Sequence, residues 1–83
     1  MSNLVFIAER ELNQLPQDAI SINENIFVPY IDFYNYGFPN DNCVVWFKSN
    51  EKYYVFKLDG DFDETQENAD LETQLMNAVS RLL

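Results

Sequence analysis

The stretch 43-CVVWFKSNEKYYVFKL-58 decides the fold. It reads as two strands, 43-CVVWFKS-49 and 52-KYYVFKL-58, joined at Asn50-Glu51. With a two-residue turn, Ser49 faces Lys52 and every pair of facing positions sums to 101. One face then carries Phe47/Tyr54, Val45/Phe56 and Cys43/Leu58, which is a core face. The other carries Lys48/Tyr53, Trp46/Val55 and Val44/Lys57, aromatic and aliphatic groups flanked by lysines. A slip of one residue would mix the two sets, so the side-chain pattern itself specifies the register. Asn-Glu lacks the glycine of the preferred Asn-Gly turn, which leaves a longer loop open.

Working outward, residues 19–31 read as a first hairpin. Ile20 and Ile22 alternate with Ser21 and Asn23, the trio Asn23-Glu24-Asn25 turns, and Ile26 to Ile31 returns. Pro29 cannot donate to a ladder, which places it at an edge or a bulge. An aromatic loop follows, 30-YIDFYNYGFPNDN-42.

Two helices are expected at the ends. Over 3–15, Leu4, Ile7, Ala8, Leu12 and Leu15 share a stripe at helical spacing, although Phe6 falls outside it and Glu11 inside. Pro16 supplies the stop. The run Leu4-Val5-Phe6-Ile7 also fits a short strand, and the helix is the preferred reading. Over 64–82, Leu71, Leu75, Met76, Ala78, Val79, Leu82 and the following Leu83 lie on one arc. Asp63 and Gln66 have capping-box spacing, and Arg81 sits where the helix dipole favours a cation.

The expected architecture is therefore a small single α+β domain spanning 1–83. Its order is α-β-β-β-β-α, with two helices on one face of an antiparallel four-stranded sheet. The second sheet face would show Phe27, Trp46, Tyr53 and Val55, an unusual apolar area for a monomer.

Composition excludes several kinds of function. Fourteen acids face five bases, a net charge of −9. Direct binding of nucleic acid requires lysine and arginine against phosphate, and an anionic membrane surface repels this chain for the same reason. A basic protein partner is attracted instead. Histidine is absent, which removes the commonest general base, the Ser-His and Cys-His pairs and histidine metal sites. Two glycines, Gly37 and Gly60, cannot make a phosphate-cradling loop. The single Cys43 lies in an apolar run and reads as a buried thiol in a reducing cytoplasm. No apolar run approaches the ~18 residues of a membrane span, and the first residues lack the pattern of a signal peptide.

The most unusual stretch is 59-DGDFDETQENADLETQ-74, seven carboxylates with no lysine or arginine. Asp59, Asp61 and Asp63 occupy positions 1, 3 and 5 of a calcium-loop pattern, but Glu64 stands where that loop requires glycine. Paired-carboxylate catalysis needs an enclosed pocket that so short a chain hardly provides. A helix start accounts for some of these acids and not for all seven, since crowded like charges repel. The remaining reading is a contact surface. Carboxylates two apart on an extended segment lie about 6–7 Å apart, a spacing able to imitate nucleic-acid phosphates. Tyrosines among carboxylates suit anchoring contacts and fast, charge-steered association.

In size, charge and Tyr/Asp-rich character the chain resembles small acidic bacterial immunity proteins and phage-encoded anti-defence proteins. The likeness is one of type, with no aligned stretch, and carries over no functional residue. Charge, the absence of histidine and these acidic and aromatic stretches together point to a cytoplasmic inhibitor, not an enzyme, without cofactor or metal, that binds a basic nucleic-acid-acting protein such as a nuclease. Asp59, Asp61, Asp63, Glu64, Glu67 and Asp32 would supply charge, and Tyr34, Tyr36, Trp46 and Tyr53 contact area. The alternative is an assembly module that forms a homodimer, or docks a partner, through the sheet face bearing Trp46, Tyr53 and Val55.

Overall fold

A computed structural model describes residues 3–36, 38, 42–59 and 71–83. Its elements are β1 (Asn3–Arg10), a 3-10 turn (Leu12–Gln14), β2 (Ile20–Ser21), β3 (Ile26–Val28), α1 (Tyr30–Tyr36), β4 (Val44–Ser49), β5 (Lys52–Asp59) and α2 (Leu71–Leu82). They form an α+β domain around a five-stranded antiparallel sheet of order β1-β5-β4-β3-β2.

The central hairpin has the register its side chains dictate. Ser49 pairs with Lys52, Phe47 with Tyr54, Val45 with Phe56 and Val44 with Lys57. Asn50 and Glu51 both take left-handed backbone, φ 55° and 62°, as a tight two-residue hairpin turn demands. Cys43, Val45, Phe47, Tyr54, Phe56 and Leu58 are buried and join Ile26, Val28, Leu71, Leu75, Ala78 and Val79 in one core. Thus α2 lies across the face that the alternation marks as apolar. Its outer side carries Glu72, whose Oε1 accepts a hydrogen bond from Asn23 Nδ2 at 2.7 Å, tying the helix start to the β2–β3 turn. Met76, Leu82 and Leu83, part of the expected apolar arc, are exposed. The expected start of this helix at 64–70, with the Asp63/Gln66 capping box, lies outside the described residues.

The first hairpin holds too, in shorter form: Ile20 pairs with Val28 and Ser21 with Phe27. Asn23 makes the turn, its Oδ1 accepting from the backbone N–H of Asn25 and Ile26 at 2.8 and 2.9 Å. The returning strand ends at Val28, whereas the alternation suggested Ile31. Pro29 is the reason. It follows the last strand residue, needs no ladder partner, and its carbonyl accepts from the N–H groups of Asp32 and Phe33. Tyr30 and Ile31 therefore begin a helix.

The N-terminal segment corrects the sequence reading most. Residues 3–10 are strand, not helix, so the sheet has five strands, not four, and the order is β-β-β-α-β-β-α. β1 pairs along the outer edge of β5, from Asn3 opposite Asp59 to Arg10 opposite Tyr53, with a bulge between Phe6 and Ala8. Leu4 packs on the core, and the Phe6 ring meets Phe56 edge to face at 5.6 Å. Long-range pairing to β5 outweighs a helical stripe that was already broken by Phe6 and Glu11. Nor do two helices share the cover of one sheet face. α1 buries none of its residues, so among the described residues α2 alone supplies the helical side of the core.

β1 and β2 are parallel strands on opposite edges, about 19 Å apart at ordinary strand spacing. Residues 11–19 must bridge them, from the Asn50-Glu51 end of the sheet at Arg10 to the Cys43 end at Ile20. Such a crossover lies against a sheet face, and α2 fills the other. It therefore crosses the Trp46 face, where Leu15, Pro16 and Ala19 are half-buried. This accounts for Tyr53 and Val55, each only 5% exposed on a face expected to be open.

Candidate surface for a protein partner

Tyr53 is a buried support for this surface and does not offer a contact of its own. Its ring meets those of Phe27 at 5.7 Å and Trp46 at 5.8 Å, both edge to face. Trp46 and Phe27 are half-buried. The aromatic sheet face is thus largely internal to the domain.

The exposed aromatic surface lies on α1. Tyr34 is 73% exposed and Tyr30 51%, and Ile31, Phe33 and Tyr36 are exposed beside them. Tyr30 and Tyr34 stand one helical turn apart, and their rings stack at 6.0 Å with 27° between planes. A seven-residue helix with five exposed apolar or aromatic side chains is not built to bury a face against its own sheet. The signal for it was present in the sequence: Pro29 before the run, Asp32 in the first turn, and tyrosines at i and i+4.

Asp32 is on the inner side of α1 and half-buried. Its carboxylate accepts a hydrogen bond from the Val44 backbone N–H, which fixes α1 to the start of β4. Burial raises the carboxyl above its usual range, and the Val44 bond offsets part of that rise. Next to it, the buried Cys43 thiol is pushed up to about 11, first by burial and second by the Asp32 charge. Burial and the neighbouring carboxylate thus keep the thiol protonated and weakly nucleophilic at neutral pH. Among the described residues, no three of His, Cys, Asp and Glu gather where they could hold a metal ion.

The same end of the sheet carries the start of the acidic stretch. The Leu58 N–H donates to the Cys43 carbonyl at 3.0 Å, and the Asn42 N–H to the Leu58 carbonyl at 2.9 Å. Asn42 adopts the left-handed conformation, φ 69°, to close this contact. Asp59, exposed, is the next residue along β5. The structure therefore brings Asp32, Tyr34, Tyr36 and Asp59 to one end of the sheet. Asp61, Asp63, Glu64 and Glu67 lie outside the described residues.

No family model, no curated protein and no solved structure matches this chain. Among the described residues, no helix is long and apolar enough to cross a membrane.

Proposed function

We propose that this chain is a small acidic protein-binding module, a stoichiometric inhibitor of a basic nucleic-acid-acting protein such as a nuclease. The observation that carries the reading is the exposed aromatic helix α1 at the sheet end where the carboxylate-rich stretch begins at Asp59. Rigid tyrosines offer contact area at low entropic cost, and surrounding carboxylates steer a basic surface toward them. The −9 charge of the whole chain acts in the same sense over longer distances. On this reading Asp59, Asp61, Asp63, Glu64 and Glu67 imitate phosphates, and Tyr34 and Tyr36 anchor.

The test is capture of proteins from a native lysate by the immobilised chain. Basic nucleic-acid-acting proteins should be retained at low salt and released at high salt, where exposed charges are screened beyond a few Å. A variant with Asp59→Asn, Asp61→Asn and Asp63→Asn should retain much less. Retention indifferent to both salt and charge removal refutes the reading.

The alternative, dimerisation or docking through the Trp46 face, has weaker support, because Tyr53 and Val55 are covered within the domain. Light scattering of the wild type and of Trp46→Ala distinguishes it. A monomer in both rules out self-association by that face.

A further inference from the structure

Resting on that reading, we propose that the group seated on α1 is an arginine side chain of the partner. Its guanidinium would lie on the stacked Tyr30–Tyr34 pair, so that this end of the domain distinguishes arginine from lysine.

Both rings are exposed, at 51% and 73%, and they stack at 6.0 Å, so aromatic surface of both is open to solvent one helical turn apart. The face of a tyrosine ring carries negative potential and attracts cations. A guanidinium is planar and weakly hydrated, so it loses little on stacking. An ammonium is compact and strongly hydrated, and gains less from the same surface.

Charge selects among the occupants. Residues 30–42 contain Asp32 and Asp41 and no lysine or arginine. Residues 58–80, which begin at the same end of the sheet with Leu58 bonded to Asn42 and Cys43, contain none either. The nearest cation along β5 is Lys57, which pairs with Val44 on the sheet face away from the α2 core. Among the described carboxylates, exposed Asp59 stands at the sheet end to which Asp32 ties α1, so a cation is favoured there. A second copy of this chain, at −9 and with no cation on its own α1, is disfavoured, and so are nucleic acid and an anionic membrane.

The test uses the full chain and two peptides, nine arginines and nine lysines, titrated at about 0.15 M salt and followed by fluorescence anisotropy. The arginine peptide should bind about two- to fivefold more tightly, the range of exposed cation–π contacts. In Tyr30→Ser/Tyr34→Ser the preference should vanish while lysine-peptide affinity stays. Tyr34→Leu, which keeps apolar area without the π face, should lose part of it. Should the double variant fail to fold, this single variant carries the same test. Equal affinity of the wild type for the two peptides overturns the arginine proposal and leaves the acidic-surface reading standing. Binding of neither peptide overturns both. A preference that survives in the tyrosine variants shows that α1 is not the seat.

Discussion

Leu75→Ala probes the packing of α2 on the sheet. Leu75 is 0% exposed and sits in the core with Val45, Phe56 and Val79. Alanine keeps the helix propensity, so the loss isolates transfer and cavity effects. Leucine-to-alanine changes at such sites cost about 2–5 kcal/mol, and full burial points to the middle of that range, about 3 kcal/mol. A domain of this size has roughly 4–12 kcal/mol in all. The variant should therefore lose a quarter to three-quarters of its stability, a fall in Tm of roughly 12–24 °C. Urea unfolding followed by Trp46 fluorescence measures it, because Trp46 lies on the sheet face away from α2 and reports loss of the sheet itself. Leu82→Ala is the control: Leu82 is exposed on the same helix, and the change should cost less than about 1 kcal/mol. Equal losses in the two variants would refute the placement of α2 on the Val45/Phe56 face.

Three further outcomes are expected. Glu51→Gly should stabilise by about 0.5–1 kcal/mol in urea melts, because left-handed backbone costs a residue with a Cβ roughly 1–2 kcal/mol and glycine's freedom in the unfolded chain returns part of that. Asp32 has a raised carboxyl in the folded state, so the folded chain holds that proton more tightly than the unfolded chain and stability falls as pH rises through its titration. Asp32→Asn should lose that acidic-range slope relative to wild type, and should be no less stable at pH 7; a wild-type-like slope contradicts the placement of Asp32 under α1. For Cys43, pushed up to about 11, the folded chain keeps its proton after the unfolded thiol has ionised, so stability relative to Cys43→Ala should fall as pH rises from the ordinary thiol range toward 11. The thiol should also resist a disulfide reagent at pH 8 until urea is added.

What the sequence disclosed, and what it concealed, follows from the range of the interactions involved. The β4–β5 register was legible because both faces of a local hairpin carry distinct side-chain sets, and a slip would mix them. β1 was not. Leu4, Val5, Phe6 and Ile7 are apolar without a break, and the bulge between Phe6 and Ala8 shifts the alternation, so neither a helical nor a strand period fits cleanly. Its pairing partner lies some fifty residues away, at Tyr53–Asp59, beyond any local pattern. For the candidate site, Tyr34 and Asp59 are at the surface as their composition suggested. Tyr53 is not, because its burial depends on a crossover whose path follows from strand order alone. α1 carries local cues in Pro29, Asp32 and the Tyr30/Tyr34 spacing, but its apolar side chains are exposed, so it lacks the amphipathic stripe by which a packed helix is recognised.

The most direct test of the functional account is competition. The basic protein captured from lysate is bound to a labelled oligonucleotide, and this chain is added in increasing amounts. The account predicts one-to-one displacement of the oligonucleotide, lost at high salt and weakened by Asp59→Asn/Asp61→Asn/Asp63→Asn and by Tyr34→Ser. A stable complex containing the chain, the partner and the oligonucleotide together would contradict it.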